Sequence, residues 1–187
     1  MQLLPAHTDR YLGSLRQRPA DVQQFTARNG DFPARLHVYF GIGDKFYNGI
    51  KASEIFGPTG MKRLGIEKVK PFFTKGVLID MVAFKGAPMD GGQEISVDDI
   101  KGALKKQDME EDDIGEGDVV AFHTGWVRYW IKDNKTYNGA VPGIGIDAGK
   151  WLAEKGVAVV ISDTWPVEVV PNPDSKQAFP VHQILLA

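Results

Sequence analysis

Residues 117–125 read Gly117-Asp-Val-Val-Ala-Phe-His-Thr-Gly125, an apolar run between two glycines that is typical of a buried strand. An earlier run, Gly76-Val-Leu-Ile-Asp-Met-Val-Ala-Phe84, is almost continuously apolar and indicates a strand that is buried on both faces. A later run over residues 157–162 predicts a third strand. We expect these three strands to lie in one sheet.

Helical patterns separate the three predicted strands. Ser96-Val-Asp-Asp99 has the spacing of a capping box, and apolar residues follow at helical intervals to about residue 107. A second helix is predicted over residues 146–155, with Gly156 at its end. Because strands that alternate with helices run parallel as a rule, the sequence predicts an α/β fold with a mainly parallel core sheet.

Composition and charge exclude several functions. With 187 residues, of which 43% are hydrophobic and 25% charged, the chain has the composition of a globular domain. The net charge is −2 and no Lys/Arg cluster interleaves with aromatic residues, so we expect no nucleic-acid partner. The apolar runs are far shorter than the ~18 residues of a membrane span. Residues 1–20 contain no signal-peptide core, so we expect no membrane partner and a cytoplasmic location.

The chain has no Cys and only four His, so His, Asp and Glu are left to carry any metal or acid–base chemistry. It lacks a phosphate loop, a nucleophile elbow and a His-Glu-x-x-His motif. In parallel sheets, reactive groups lie just beyond the carboxyl ends of the strands. The candidates there are His123 after the second strand, Asp163 after the third, and His182 after a proline-rich loop.

Each candidate has a structural alternative. A histidine at a strand end, such as His123, is most often a hydrogen-bonded structural residue. Asp163 follows five apolar residues, where a carboxylate needs a metal, a cation or hydrogen-bond donors, but a helix cap or a turn explains it equally well. His182 is either structural or a metal ligand whose second ring nitrogen is held by an acceptor.

Further ordered motifs join these candidates, among them Pro142-Gly-Ile-Gly145, Ser162-Asp-Thr-Trp165, Val167-Glu-Val-Val-Pro171 and Phe179-Pro-Val-His-Gln183. With Phe73-Thr-Lys-Gly-Val-Leu-Ile-Asp80 and Gly117-Asp-Val-Val-Ala-Phe-His-Thr-Gly-Trp126, they resemble the cyclase-like metal-dependent hydrolases, the family of bacterial kynurenine formamidase and isatin hydrolase. The resemblance covers about residues 37–187. It implies a swivelling β/β/α fold, a divalent metal such as zinc or manganese, and hydrolysis of an amide, often an arylformamide or a cyclic amide.

The family's metal motif reads His-x-Gly-Thr-His-x-Asp-x-Pro-x-His. If its last His is laid on His37, the earlier ligand positions fall on Ala27, Asp31 and Pro33. The resemblance implies that His37 carries acid–base chemistry beside the metal and that His182 is a metal ligand. Asp31 offers a carboxylate where the family has a His, and zinc or manganese accepts such a ligand, so we predict Asp31 as a substitute.

The resemblance therefore predicts a metal-dependent hydrolase of amide bonds whose substrate is a small aromatic amide. We predict substrate contacts at three residues: Trp126, Asp163 and Trp165. Because most family ligand positions are missing here, and the family's last Glu would lie beyond Ala187, we expect a weakly held or missing metal and weak turnover or none. The alternative is a non-catalytic relative or an incomplete chain that acts as a binding or scaffold protein. We also expect a homo-oligomer, and a divergent segment over residues 1–36 before a cyclase-like domain over residues 37–187.

Overall fold

The structure is a computed structural model that describes residues 22–26, 38–42, 44–58, 60–64 and 71–186. The chain divides into two compact units. The first comprises residues 1–66, 174–178 and 186–187, and the second comprises residues 67–173 and 179–185. The domain boundary predicted after residue 36 lies outside the described residues and stays a prediction. No helix in the described ranges is long and apolar enough to cross a membrane.

The first unit contains two antiparallel strand pairs. Strand β1 (Val22–Thr26) pairs with β2 (Val38–Ile42), and helix α1 (Ala52–Ile55) leads into the short hairpin of β3 (Phe56–Gly57) and β4 (Gly60–Met61). The ring of Phe46 is buried and meets the ring of Phe56 edge to face, with 5.8 Å between the ring centroids.

The second unit is an α/β layer structure. Its elements are, in chain order, β5 (Gly76–Asp80), α2 (Met81–Lys85), β6 (Glu94–Ile95), α3 (Val97–Lys106), β7 (Val119–His123), α4 (Asn134–Tyr137), β8 (Gly143–Ile144), α5 (Ile146–Glu154), β9 (Val159–Ser162) and, except for its last residue, α6 (Pro180–Leu186). Strands β5, β7 and β9 form a parallel sheet in the order β5-β7-β9, and β6 pairs parallel with β8. The predicted α/β class with a parallel core sheet is confirmed.

The two predicted helices are confirmed, together with the capping box that begins the first and the glycine that follows the second. The side-chain oxygen of Ser96 accepts a hydrogen bond from the backbone N–H of Asp99, and the Asp99 carboxylate accepts one from the N–H of Ser96, both at 3.1 Å. This capping box begins α3, whose apolar side faces the sheet. Just beyond α5, Gly156 adopts φ +72°, a conformation that favours glycine.

The prediction for residues 76–84 was wrong in two respects. The strand ends at Asp80, because the Asp80 carboxylate accepts a hydrogen bond from the N–H of Ala83 at 2.9 Å and caps helix α2. Nor is the strand buried on both faces: Val77 and Ile79 lie in the core, whereas Leu78 between them is 51% exposed. The core therefore lies on one side of the sheet, against α3 and α5.

Candidate active site

The structure describes four of the six residues predicted for the site: Trp126, Asp163, Trp165 and His182. The predicted proton carrier His37 and the predicted substitute ligand Asp31 lie outside the described residues, and their roles stay predictions.

His182 lies in the first turn of α6 and is held by a buried carboxylate. The backbone N–H groups of Val181 and His182 donate hydrogen bonds to the Glu168 carboxylate, at 3.2 and 3.0 Å. The ring nitrogen Nδ1 of His182 contacts Oε1 of the same carboxylate. Glu168 is 1% exposed and the His182 side chain 26%. One buried acid therefore caps the helix and fixes the orientation of the imidazole.

The backbone that carries Glu168 is tied to strand β8. Glu168 forms a parallel bridge with Ile144, whose N–H donates to the Val167 carbonyl at 3.1 Å. Val167 has φ +64°, which is rare and costly for a β-branched residue. Gly143 allows the close approach, because a Cβ there would overlap the backbone of Val167 and Glu168. The position of Glu168 thus depends on a strained turn that the neighbouring strand holds in place.

An aromatic row extends from His182. The ring of Phe179 lies 5.5 Å from the His182 ring and 5.9 Å from the Trp165 ring, measured between centroids, and both contacts are edge to face. Trp165 is partly exposed at the end of this row. The structure therefore brings the predicted ligand His182 and the predicted substrate residue Trp165 together through Phe179.

A second histidine–carboxylate pair lies at the carboxyl edge of the main sheet. Asp80 and His123 are the register partners that end β5 and β7, and His123 Nδ1 lies 3.0 Å from Asp80 Oδ1. Their side chains are 31% and 41% exposed. The N–H of Ala83 lowers the pKa of Asp80; burial opposes this shift, and the hydrogen bond to His123 adds to it.

Asp163 and Trp126 have local partners in the turn after β7. The Asp163 carboxylate accepts from the N–H and the hydroxyl of Thr124, at 2.9 and 2.6 Å, and from the N–H of Val127 at 3.3 Å. Trp126 is buried and its indole N–H donates to the Tyr137 carbonyl at 3.2 Å. Burial raises the pKa of Tyr137, and the charge of Asp163 adds to that shift. These contacts give both predicted residues a structural role, while their substrate contacts stay predictions.

The donors around His182 fit one ligand position of a metal site. Metal-binding histidines ordinarily donate their other ring N–H to a carboxylate, as the geometry at Glu168 allows. Across the ranges that the structure describes, no group of three His, Asp or Glu side chains is placed to hold a metal ion. The described residues by themselves therefore fit a single ligand.

Sequence analysis missed Glu168 and Asp80 as members of these two pairs. The signal for Glu168 is a single acid within Val167-Glu-Val-Val-Pro171, an otherwise apolar stretch, since a buried carboxylate needs donors. The signal for Asp80 is its position inside an apolar run that changes from strand to helix.

Comparison with known proteins identifies the family. The Cyclase family model, described as "Putative cyclase", matches residues 52–169 of this chain. That span covers most of the sequence, so the chain belongs to the cyclase family, as the motifs predicted. No curated protein matches the chain.

Solved structures show the same fold at low sequence identity. A crystal structure of a novel cyclase is 24% identical with a TM-score of 0.63, over 96% of this chain and 74% of that one. Isatin hydrolase A from Ralstonia solanacearum is 18% identical with a TM-score of 0.53, over 99% of this chain and 82% of its own. Isatin hydrolase A from Labrenzia aggregata is 20% identical with a TM-score of 0.52, over 88% and 64%.

Proposed function

We propose that this chain is a cyclase-type hydrolase that cleaves an amide bond of a small aromatic substrate and uses a divalent metal, zinc or manganese. The observation that carries the proposal is the imidazole of His182, held through Nδ1 by the buried Glu168 carboxylate. This is the arrangement in which proteins usually present a histidine to a metal. His182 is therefore the proposed ligand.

The aromatic row supports an aromatic substrate. Trp165 and Phe179 lie beside His182 and offer ring faces and edges to a planar ligand. Two of the structural neighbours are named for isatin, a cyclic aromatic amide. We extend that substrate class, together with the arylformamides, to this chain as part of the proposal.

A divalent metal, when bound, would lower the pKa of a water ligand to about 7 and so make hydroxide available near neutral pH. The residues of the chain supply orientation and proton transfer: Glu168 holds His182, and His37 is the proposed proton carrier. Catalytic zinc usually has three protein ligands. Because Ala27 and Pro33 replace family ligands and only Asp31 offers a substitute, we propose slow turnover.

Hydrolysis of isatin and N-formylkynurenine by the full chain, with zinc or manganese added, tests the proposal. We expect measurable hydrolysis with a kcat below ~1 s⁻¹, abolished by a chelator and by His182→Gln. The control variant His123→Gln keeps the activity, because His123 belongs to the other pair. A kcat above ~1 s⁻¹ would contradict the slow turnover. If the chain neither hydrolyses these amides nor binds metal, the proposal is wrong, and this result favours the alternative of a non-catalytic relative or an incomplete chain.

A further inference from the structure

We propose that Glu168 is a positioning residue that selects the protonated nitrogen of His182, holding the proton on Nδ1 and leaving the lone pair on Nε2. The tautomer follows from the contacts alone. Its consequence for metal binding rests on the function proposed above.

Three nitrogen atoms surround the Glu168 carboxylate. Oε1 receives the N–H of His182 and faces Nδ1 of the same residue, while Oε2 receives the N–H of Val181. Two of these groups are backbone N–H groups, which can only donate. An ionised carboxylate is acceptor-only and satisfies all of them, so Nδ1 of a neutral His182 must be the ring nitrogen that carries the hydrogen.

Burial of Glu168 strengthens the preference for the Nδ1–H tautomer of His182. Glu168 is 1% exposed, so water does not compete for its oxygens, and a lone pair of Nδ1 facing that carboxylate would repel it in a low-dielectric environment. In the neutral imidazole one nitrogen is protonated and the other is not. Holding the hydrogen on Nδ1 therefore assigns the lone pair to Nε2, the nitrogen that a metal ion or a proton would take.

The backbone is strained next to Glu168. Val167, the preceding residue, has φ +64°, and such strain persists only where the surrounding structure holds it. The bridge between Glu168 and Ile144 keeps the turn in place, and Gly143 allows the close approach because it has no Cβ.

Asp80 and His123 provide a matched control within the same chain. His123 also faces a carboxylate through Nδ1, at 3.0 Å, but both side chains are about one-third exposed or more. Water solvates that pair and weakens its control over the tautomer.

Nitrogen NMR of the metal-free full chain, labelled with ¹⁵N-histidine, tests the inference directly. Spectra are recorded at a pH where the imidazoles are neutral, and His182→Gln assigns the signals. We expect the Nδ1–H tautomer at His182 in the wild type, a loss of that preference in Glu168→Leu, which has no acceptor, and no change at His182 in Asp80→Asn. An Nε2–H tautomer at His182 in the wild type would overturn the inference, and this result does not depend on the folding of any variant. An unchanged His182 signal in a folded Glu168→Leu would overturn it as well.

Zinc titration of the same proteins tests the consequence for metal binding. We expect Glu168→Leu to weaken zinc affinity about 10–100-fold, and Asp80→Asn to leave it unchanged. Equal affinity in a folded Glu168→Leu and the wild type would overturn the positioning role. A wild-type chain that binds no zinc would overturn the proposed function, whereas the tautomer measurement would still decide the role of Glu168.

Discussion

Two histidines in the described part of the chain face a carboxylate through Nδ1, and the two pairs differ in what surrounds them. Asp80 and His123 stand side by side because they end two parallel strands in register, and both are substantially exposed. Glu168 and His182 are 14 positions apart, and their carboxylate is fully buried. The first pair follows from sheet topology, whereas the second requires a turn with an unfavourable backbone conformation at Val167.

The difference indicates which of the two pairs is the better candidate for the proposed function. The Asp80 carboxylate also caps α2, which is sufficient reason for its presence. Burial of the Glu168 charge costs free energy that only well-placed donors offset, and those donors include the imidazole of the proposed ligand. This is the reason why we place the proposed function at the buried pair.

Truncation of the two carboxylates should show the largest contrast. Glu168→Ala removes the acceptor of two backbone N–H groups and of His182, and we expect it to lower the free energy of unfolding by about 3 kcal/mol. Asp80→Ala removes a helix cap near the surface and should cost about 1 kcal/mol. Urea denaturation followed by circular dichroism measures both values. Equal losses would contradict the distinction between the pairs.

Glycine substitutions test the strained turn at the buried pair. Gly143→Ala places a Cβ against the backbone of Val167 and Glu168, which cannot move without breaking the bridge to β8, so we expect a loss of about 2 kcal/mol. Gly76→Ala is the matched control in strand β5, because nothing lies within 4 Å of its added Cβ. It should change the free energy of unfolding by less than about 0.5 kcal/mol. Similar effects of the two substitutions would contradict the close approach at Gly143.

The pH dependence of the unfolding free energy tests the contribution of Asp80. Its pKa is lowered in the folded chain, chiefly by the N–H of Ala83, so the unfolded chain takes up the proton first as the pH falls. The ionised carboxylate therefore stabilises the fold above about pH 4, and this contribution is lost as the pH falls through the folded-state pKa. The difference in unfolding free energy between the wild type and Asp80→Asn should shrink below about pH 4. A difference that grows in acid would have the wrong sign.

Removal of the exposed imidazole should have the smallest effect. His123→Gln keeps a polar side chain at a half-exposed position, and we expect the free energy of unfolding to change by less than about 0.5 kcal/mol. Thermal and urea denaturation check this value. A loss as large as that of Glu168→Ala would show that the Asp80–His123 pair is a structural centre of the sheet.

The sequence predicted the parts of the fold that depend on local pattern. Strands β5, β7 and β9 and helices α3 and α5 follow from apolar runs, a capping box and Gly156. The end of β5 at Asp80 escaped prediction, because Met81 to Phe84 are apolar in a way that suits a buried strand and a short helix equally.

The candidate site was only partly predictable for a different reason. His182 and Trp165 were predicted from their motifs, and in the structure the ring of Phe179 contacts both of them. Glu168 was missed because its contact with His182 crosses a loop without periodicity, and no spacing rule connects the two residues. Contacts of this kind are set by tertiary packing, which a single sequence does not display.

Metal content is the most direct test of the central claim that His182, held by Glu168, belongs to a metal site. The purified full chain is brought to equilibrium by dialysis at the lowest free zinc concentration that saturates the wild type and is analysed for bound metal, in parallel with His182→Gln and His123→Gln. We predict about one equivalent in the wild type and in His123→Gln, and a large loss of zinc in His182→Gln. A wild-type chain without zinc, or a His182→Gln chain that retains it in full, would contradict the assignment.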